Sequence, residues 1–343
     1  MYYFGSKFLF LFNIVIILSF PILTFGQKDS LATNISKTSY SIADKPFFTI
    51  TGNGINQITK IKPIPIVVFV GTYSGIFVLQ HIGQMSTIWK NRGSFHFAED
   101  GKYAMYVDKT GHFYGTFLSS YVLSQTLIEC GFSYSWANAI GGFLGLGYTT
   151  YVEILDGFSK DWGFCPSDFY ADVAGALFFW GYAYLPFLQN FTPKFMYFPP
   201  RWFNSYSRKP SSMFIDDYSA HTFWISVNIS NLLPNTIKKY YPKWMEISFG
   251  YAVRNLCDPL NPQNKCNPNV SEPVYHYVWG NRKFIIALDV DLVKLLPDGS
   301  PFWNWFKQSL NYFKLPSPAL EIGKPTRFYL LYPFPLRIGS VKF

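Results

Sequence analysis

The stretch YSWANAIGGFLGLGYTTYV, residues 134–152, contains no Lys, Arg, Asp or Glu, and the EILDG that follows at 153–157 closes it with two carboxylates. It is too long for one strand and long enough, as a helix, to cross a hydrocarbon core of about 30 Å. Similar apolar segments flank it: Ile64–Trp89, Lys109–Gly131 and Phe169–Gln189. Small residues recur at four-residue spacing, as Gly111 and Gly115, Gly141 and Gly145, Ala171 and Gly175. That spacing lets helices approach closely. Four antiparallel helices are therefore expected between residues 63 and 190.

Composition points the same way. Charged residues are 14% of the 343-residue chain, hydrophobic residues 49% and aromatic residues 21%. Soluble proteins average about 25% charged residues. Disorder is excluded by the aromatic content. The net charge is +9, but the basic residues lie scattered among Tyr, Trp and Phe with no Lys/Arg run. This suits a membrane interface with anionic lipid and argues against a nucleic-acid partner. The bundle is expected to be membrane-embedded; a water-soluble bundle docked on the membrane is the alternative. Lys90, Arg92, Lys102 and Lys109 follow the first segment. They place that loop inside and the C-terminal region outside the cytoplasm.

Lys7, the apolar run from Phe8 to Phe20 and the small residue Gly26 read as a signal peptide or uncleaved signal anchor over 1–26. Residues 27–62 read as a polar extracytoplasmic lead-in. Cys257 and Cys266 flank a Pro/Asn-rich loop and could bridge in an oxidising compartment. Cys130 and Cys165 sit among apolar residues and read as small core residues.

Glycines concentrate between Gly71 and Gly181, prolines at and after Pro186. Beyond that shift, residues 191–343 read as strands. Thr222–Ser230, Met245–Val253, Phe284–Leu292 and Arg327–Tyr332 alternate apolar with polar or small residues, the period of a strand with one buried face. Trp303–Phe313 reads as a short helix. The terminal Phe343 hints at an outer-membrane barrel, but so few strands cannot close one. The expected fold is α+β: a four-helix bundle, then a small antiparallel sheet.

Chemistry concentrates in residues 108–172. Asp108-Lys109-Thr110-Gly111-His112 opens the second segment, Glu153 and Asp156 close the third, and Ser167, Asp168 and Asp172 open the fourth. In an up-down bundle these three ends share one side. Asp108 with His112, and Asp168 with Asp172, are four residues apart and share helix faces. N-capping and helix-dipole placement account for Asp108, Ser167 and Asp168. They account less well for Asp172, Glu153 and Asp156. His112, Glu153, Asp156, Asp168 and Asp172 are the candidate ligands of a divalent metal. His112, Asp108 and Lys109 are the candidate catalytic groups, as general base or phosphate contact. Asp216, Asp217 and His221 form a smaller polar group that reads as a loop cap.

The ordered runs DKTGH (108–112), EILDGFSKDWGF (153–164) and SDFYADVAGA (167–176) resemble the YfiM-type family of predicted periplasmic lipoproteins, a domain of unknown function. They are more distantly similar to VanZ-like membrane proteins. Asp108, Lys109, His112, Glu153, Ser167, Asp172 and Gly175 stand at or close to the positions of that pattern. The strand region resembles the tail of longer, Bacteroidetes-type members. Two departures stand out: no lipobox Cys is present, and Glu-x-x-Gln becomes Glu153-x-x-Asp156. The resemblance implies the envelope of a Gram-negative bacterium and carries no established activity.

Two functions fit these residues. One is a non-catalytic envelope protein whose polar cluster holds the bundle or contacts lipid headgroups, with an envelope protein as partner of the sheet. The other is a metal-dependent hydrolase or transferase acting on a lipid-linked or phosphate-bearing substrate.

Overall fold

The computed structural model describes residues 41–203, 217–256 and 280–342, apart from 324, 335, 339 and 340. The leader, the Cys257–Cys266 loop and Asp216 lie outside the described residues. Four helices precede the sheet: α1 (Pro63–Met85), α2 (Val107–Glu129), α3 (Tyr134–Gly157) and α4 (Pro166–Tyr184). Prolines at the first turns of α1 and α4 cost no hydrogen bond there.

Of the four expected helices, α2, α3 and α4 are joined most closely. Glycines decide this. A Cβ on Gly141 would lie 2.8 Å from Ser124, one on Gly145 would meet Ser120, and one on Gly175 would lie 2.3 Å from the Phe113 carbonyl oxygen. These close approaches join α2 to α3 and α2 to α4. Gly71, Gly75 and Gly83 of α1 face open space. That helix touches the bundle through the polar pairs Tyr73 with Thr126, Gln80 with Tyr148 and His81 with Tyr151, and through the rings of Phe69 and Phe77. Gln84 is its one buried residue. Of the four expected membrane segments, α1 alone among the described residues is long and apolar enough to cross a bilayer, and no residue of its apolar window is fully buried. The faces that join α2–α4 mix apolar side chains such as Phe117, Ala137 and Phe179 with buried polar ones such as Ser120, Ser124 and Asn138.

The lead-in is not a free linker from residue 41 onward. Thr51 donates twice to Glu129 at the end of α2, and Lys45 forms a buried ion pair with Asp291 at 2.8 Å.

Beside two short two-stranded ribbons, Ser41–Ile42 with Lys45–Pro46 and Arg337–Ile338 with Val341–Lys342, six strands form one antiparallel meander. They run β1 (Phe191–Tyr197), β2 (His221–Val227), β3 (Met245–Arg254), β4 (Asn281–Val290), β5 (Ser317–Ile322) and β6 (Arg327–Tyr332), each paired with the next. Helix α5 (Pro301–Leu310) lies between β4 and β5 and is capped by Ser300, whose hydroxyl accepts from the Trp303 N–H. The sheet curls. In a flat sheet strands four places apart lie about 19 Å apart. Here Trp224 of β2 and Tyr332 of β6 have ring centroids 5.8 Å apart, and Arg254 donates to the Tyr332 hydroxyl at 3.0 Å.

The curl encloses the side that carries the ions, together with an apolar cluster that includes Met196, Trp224, Ile285, Ala287, Tyr329 and Tyr332. In β3, Glu246, Ser248 and Gly250 are buried while Phe249 is exposed. In β4, Lys283, Ile285, Ala287 and Asp289 are buried while Phe284, Ile286 and Leu288 are exposed. Inside, Lys194 pairs with Asp289 at 2.9 Å and Glu246 at 3.2 Å, and Lys283 pairs with Glu321 at 3.1 Å. Outside, apolar residues form cross-strand rows: Phe249, Ile286, Leu320 and Phe328 are successive partners, as are Ile247 and Leu288. Helix α2 covers the β1–β2 end of this outer face, with Tyr114 against Phe195 and Phe223 at 5.5 and 5.9 Å between ring centroids.

Two predictions follow from this packing. Gly175→Ala, forced against the Phe113 carbonyl, should destabilise the fold by about 1–3 kcal/mol in denaturant unfolding, whereas Gly71→Ala should be neutral or stabilise by up to about 1 kcal/mol. For Asp289, burial alone would raise the carboxyl, but Lys194, Lys314 and the Ser226 and Ser248 hydroxyls hold it down at about 2. A carboxyl whose folded value lies below its unfolded value contributes stability above the unfolded value and loses it as pH falls. Asp289 should therefore contribute about 2 kcal/mol above pH 4, lost between roughly pH 4 and 2. Urea midpoints of wild type and Asp289→Asn across that window check this: the variant should lack that part of the acid limb.

Candidate functional site

Asp108 stands in the first turn of α2 after an unusual entry. Ala104, Met105 and Tyr106 all have left-handed backbones, with φ of 46, 53 and 73°. Such residues cost on the order of 1 kcal/mol each unless their surroundings impose them. The sheet does so: the Tyr251 hydroxyl donates to the Met105 carbonyl at 2.5 Å, and Tyr103, Ala104 and Val107 are buried in a core with Tyr218, Val253 and Leu256. Asp168 occupies the first turn of α4, where the helix dipole favours a carboxylate, and Asp172 lies one turn further in.

Lys109 is the centre of the first half of the site. Its ammonium contacts Asp100, Asp108 at 2.9 Å and Asp168 at 2.5 Å. The other Asp108 oxygen accepts the Tyr218 hydroxyl. Burial would raise the Asp108 carboxyl, but Lys109, His112 and Tyr218 together hold it well below its usual range. Burial works against charge on Lys109 too, and its three carboxylates more than offset it, keeping the ammonium protonated.

His112 is the centre of the second half. Its Nδ1 lies 3.1 Å from Asp172 Oδ1 and 3.7 Å from Glu153 Oε1, and its Nε2 lies 3.8 Å from Asp168 and 3.9 Å from Asp108. Thr116 donates to the same Asp172 oxygen at 2.9 Å. Burial would lower the imidazole, but the hydrogen bond to Asp172 and the charges of Asp168, Asp108 and Asp172 raise it well above its ordinary value. Its side chain is 22% exposed, whereas Asp172 and Glu153 are 0 and 2%.

The charges do not balance. Asp100, Asp108, Glu153, Asp168 and Asp172 converge on Lys109 and His112, five carboxylates around two cations. Glu153 absorbs part of the excess as a neutral acid. Burial pushes it up to about 9, against the pull of His112 and with the help of Asp168, Asp156 and Asp172. Burial likewise pushes Asp168 up to about 7, with Asp108 adding to it and His112 and Lys109 opposing. Asp172 Oδ2 is sealed from water and has no hydrogen-bond partner among the described residues. Ligand atoms of His112, Glu153 and Asp172 lie within 4.8 Å of one another, as do those of Asp108, His112 and Asp168. One imidazole and two carboxylates suit a borderline cation such as zinc or manganese better than calcium, which prefers oxygen alone.

The expected residues thus come together with one exception. Asp156 accepts the Trp89 indole N–H at 2.6 Å, which closes the loop after α1 onto α3. Cys165, expected in the core, lies at the edge of the cluster, its thiol against Asp100 at 3.1 Å and Ser167 at 3.2 Å. Its N–H donates to Glu153 at 3.2 Å. Asp100, Thr116 and Tyr218 were absent from the expected set. Asp100 stands only eight residues before Asp108 and was legible as a further acid; Tyr218 is brought in by the sheet and no local pattern announces it. His221 of the smaller polar group lies buried among the rings of Phe195, Tyr197 and Tyr218, not at this site.

Residues 95–184 match a family model described as predicted periplasmic lipoprotein (DUF2279). The matched stretch holds every member of the cluster except Tyr218. It agrees with the resemblance of the three motifs and with a place in the cell envelope. It ends at Tyr184, so the likeness of the sheet region to longer members, and that of the motifs to VanZ-like proteins, remain readings of the sequence. Comparison with curated proteins and with solved structures gave no match.

Lys109→Met would leave Asp100, Asp108 and Asp168 without their shared cation. It should cost about 3–5 kcal/mol in urea unfolding, whereas His112→Ala, at the partly exposed end, should cost markedly less. Equal losses in both would contradict the division of the site into two halves.

Proposed function

We propose that this is a non-catalytic cell-envelope protein whose helical core is locked by Lys109 and binds a divalent cation through His112, Glu153 and Asp172. The observation that carries the reading is the excess of carboxylates around His112, with Asp172 Oδ2 sealed and unbonded among the described residues. A buried carboxylate is retained only when paired, protonated or metal-bound. Lys109 cannot serve the second half, because Asp100, Asp108 and Asp168 already surround its ammonium. For the same reason it is a poor phosphate contact.

The cation would sit where α2, α3 and α4 meet and would tie them together in place of the imidazolium. Three protein ligands would leave positions for water or for an oxygen of a headgroup. Membrane lipid is the proposed neighbour, given the exposed α1 and the low share of charged residues.

A second reading, a metal-dependent hydrolase or transferase for a phosphate-bearing headgroup, draws on one fact: His112 alone among the three ligands reaches solvent. The metal position would then be open to a water and to a headgroup oxygen, with His112 serving as ligand and not as base.

Purified protein equilibrated with zinc or manganese and stripped of free ion should retain about one equivalent by elemental analysis. His112→Ala and Asp172→Asn should lose it while remaining folded by circular dichroism. Wild type that retains no metal would refute the cation site. Turnover of a short-chain glycerophospholipid by the loaded wild type, absent from folded His112→Ala, would move the conclusion to the second reading.

A further inference from the structure

The uncovered outer face of the sheet is the largest feature the cluster does not explain. It continues the surface that packs on α2 at β1–β2. The turn before α2 covers Tyr251 of β3, and among the described residues nothing further covers the rows beyond it. Phe249, Phe284 and Phe328 are 52, 55 and 51% exposed. They stand in the same cross-strand rows as Ile286, Leu320 and Ile322. Soluble monomers rarely leave so continuous an apolar surface bare.

The inside of the same strands identifies the occupant. A sheet that meets water on its outer face places ions outside and apolar side chains within. Here Lys194, Glu246, Asp289, Lys283 and Glu321 are enclosed beside the Trp224 and Tyr332 cluster, and phenylalanine and leucine face outward. This reversed alternation is that of strands bathed in lipid, whose polar side chains turn inward. The strand ends fit a bilayer as well. The loop entering β3 carries exposed Lys239, Tyr240, Lys243 and Trp244. At the opposite end, exposed Arg282 of β4 lies 5.8 Å from the Tyr106 ring. Basic and aromatic side chains on either side of an apolar band belong at headgroup level, where anionic phosphates meet the cations.

We infer that the outer face of β3–β6 is seated in the acyl-chain region of a bilayer, with the basic and aromatic strand ends at anionic headgroups. A second copy of this chain on the same face is the competing occupant. The inference goes beyond the cation reading, which does not involve these strands.

The test uses the full chain in vesicles of phosphatidylethanolamine and phosphatidylglycerol. Cys257 and Cys266 are replaced by Ser, since Cys130 and Cys165 are buried. Leu288→Cys and Leu320→Cys, and Lys239→Cys as the headgroup-level control, each carry an environment-sensitive fluorophore. Nitroxides on the lipid acyl chains should quench the labels at 288 and 320 several-fold more than the label at 239. Aqueous iodide should show the reverse order. Labels at 288 and 320 open to iodide and untouched by the lipid nitroxide would overturn the inference. Protection from both quenchers, with efficient cross-linking of Leu320→Cys between copies, would overturn it in favour of the second copy. Metal content, measured on the same samples, reports separately on the cation site.

Discussion

One ammonium group, that of Lys109, makes the interior of the helical region possible. Asp100, Asp108 and Asp168 come from a loop and two helices, and each would resist burial as an anion without a cation beside it. Around that ion the backbone accepts a left-handed turn of three non-glycine residues, and the sheet contributes Tyr218 and Tyr251 to hold it. The helices and the sheet are thus joined at the charged end of the bundle, not only along their apolar contacts. What Lys109 cannot neutralise collects around His112, which is why the partly exposed half of the cluster has the character of a binding site and the buried half that of a clamp.

The sheet meets a related problem in its own way. Its charges are also inside, but there they pair one against another: Lys194 with Asp289 and Glu246, Lys283 with Glu321. Curling brings β6 back towards β2 and keeps water from this interior. The consequence is an outer surface made mostly of apolar side chains over the described strands. Where α2 and the turn before it pack on that surface it behaves as an ordinary core; beyond them it is bare among the described residues. The exposed flank of α1 adds a second apolar surface to the same molecule.

Much of this was legible in the residues. The long apolar runs marked the helices, and the spacing of Gly141 with Gly145 and of Ala171 with Gly175 marked close contacts among them; the same spacing at Gly111 and Gly115 did not, since Gly111 meets only Phe223 and Gly115 meets nothing within 4 Å. Four strands were legible from their alternation. The first and fifth were not, since Pro193 and Pro318 interrupt the pattern. Asp156 shows the limit of local spacing: three residues from Glu153 and near its face, it is taken by the Trp89 indole, a partner that only the path of the chain after α1 could supply.

By itself the sequence determined that three helix ends would gather Asp108, Lys109, His112, Glu153, Asp168 and Asp172, because helical periodicity and short turns leave those side chains nowhere else to go. It also determined that the strands would have one apolar and one polar face. Only the tertiary structure decided which face of the sheet is buried, since alternation gives two sides of unequal chemistry and says nothing about the direction of curl. Only it decided how the charge is shared, because the Coulomb energy of a buried carboxylate depends on distances of a few ångströms between residues far apart in the chain.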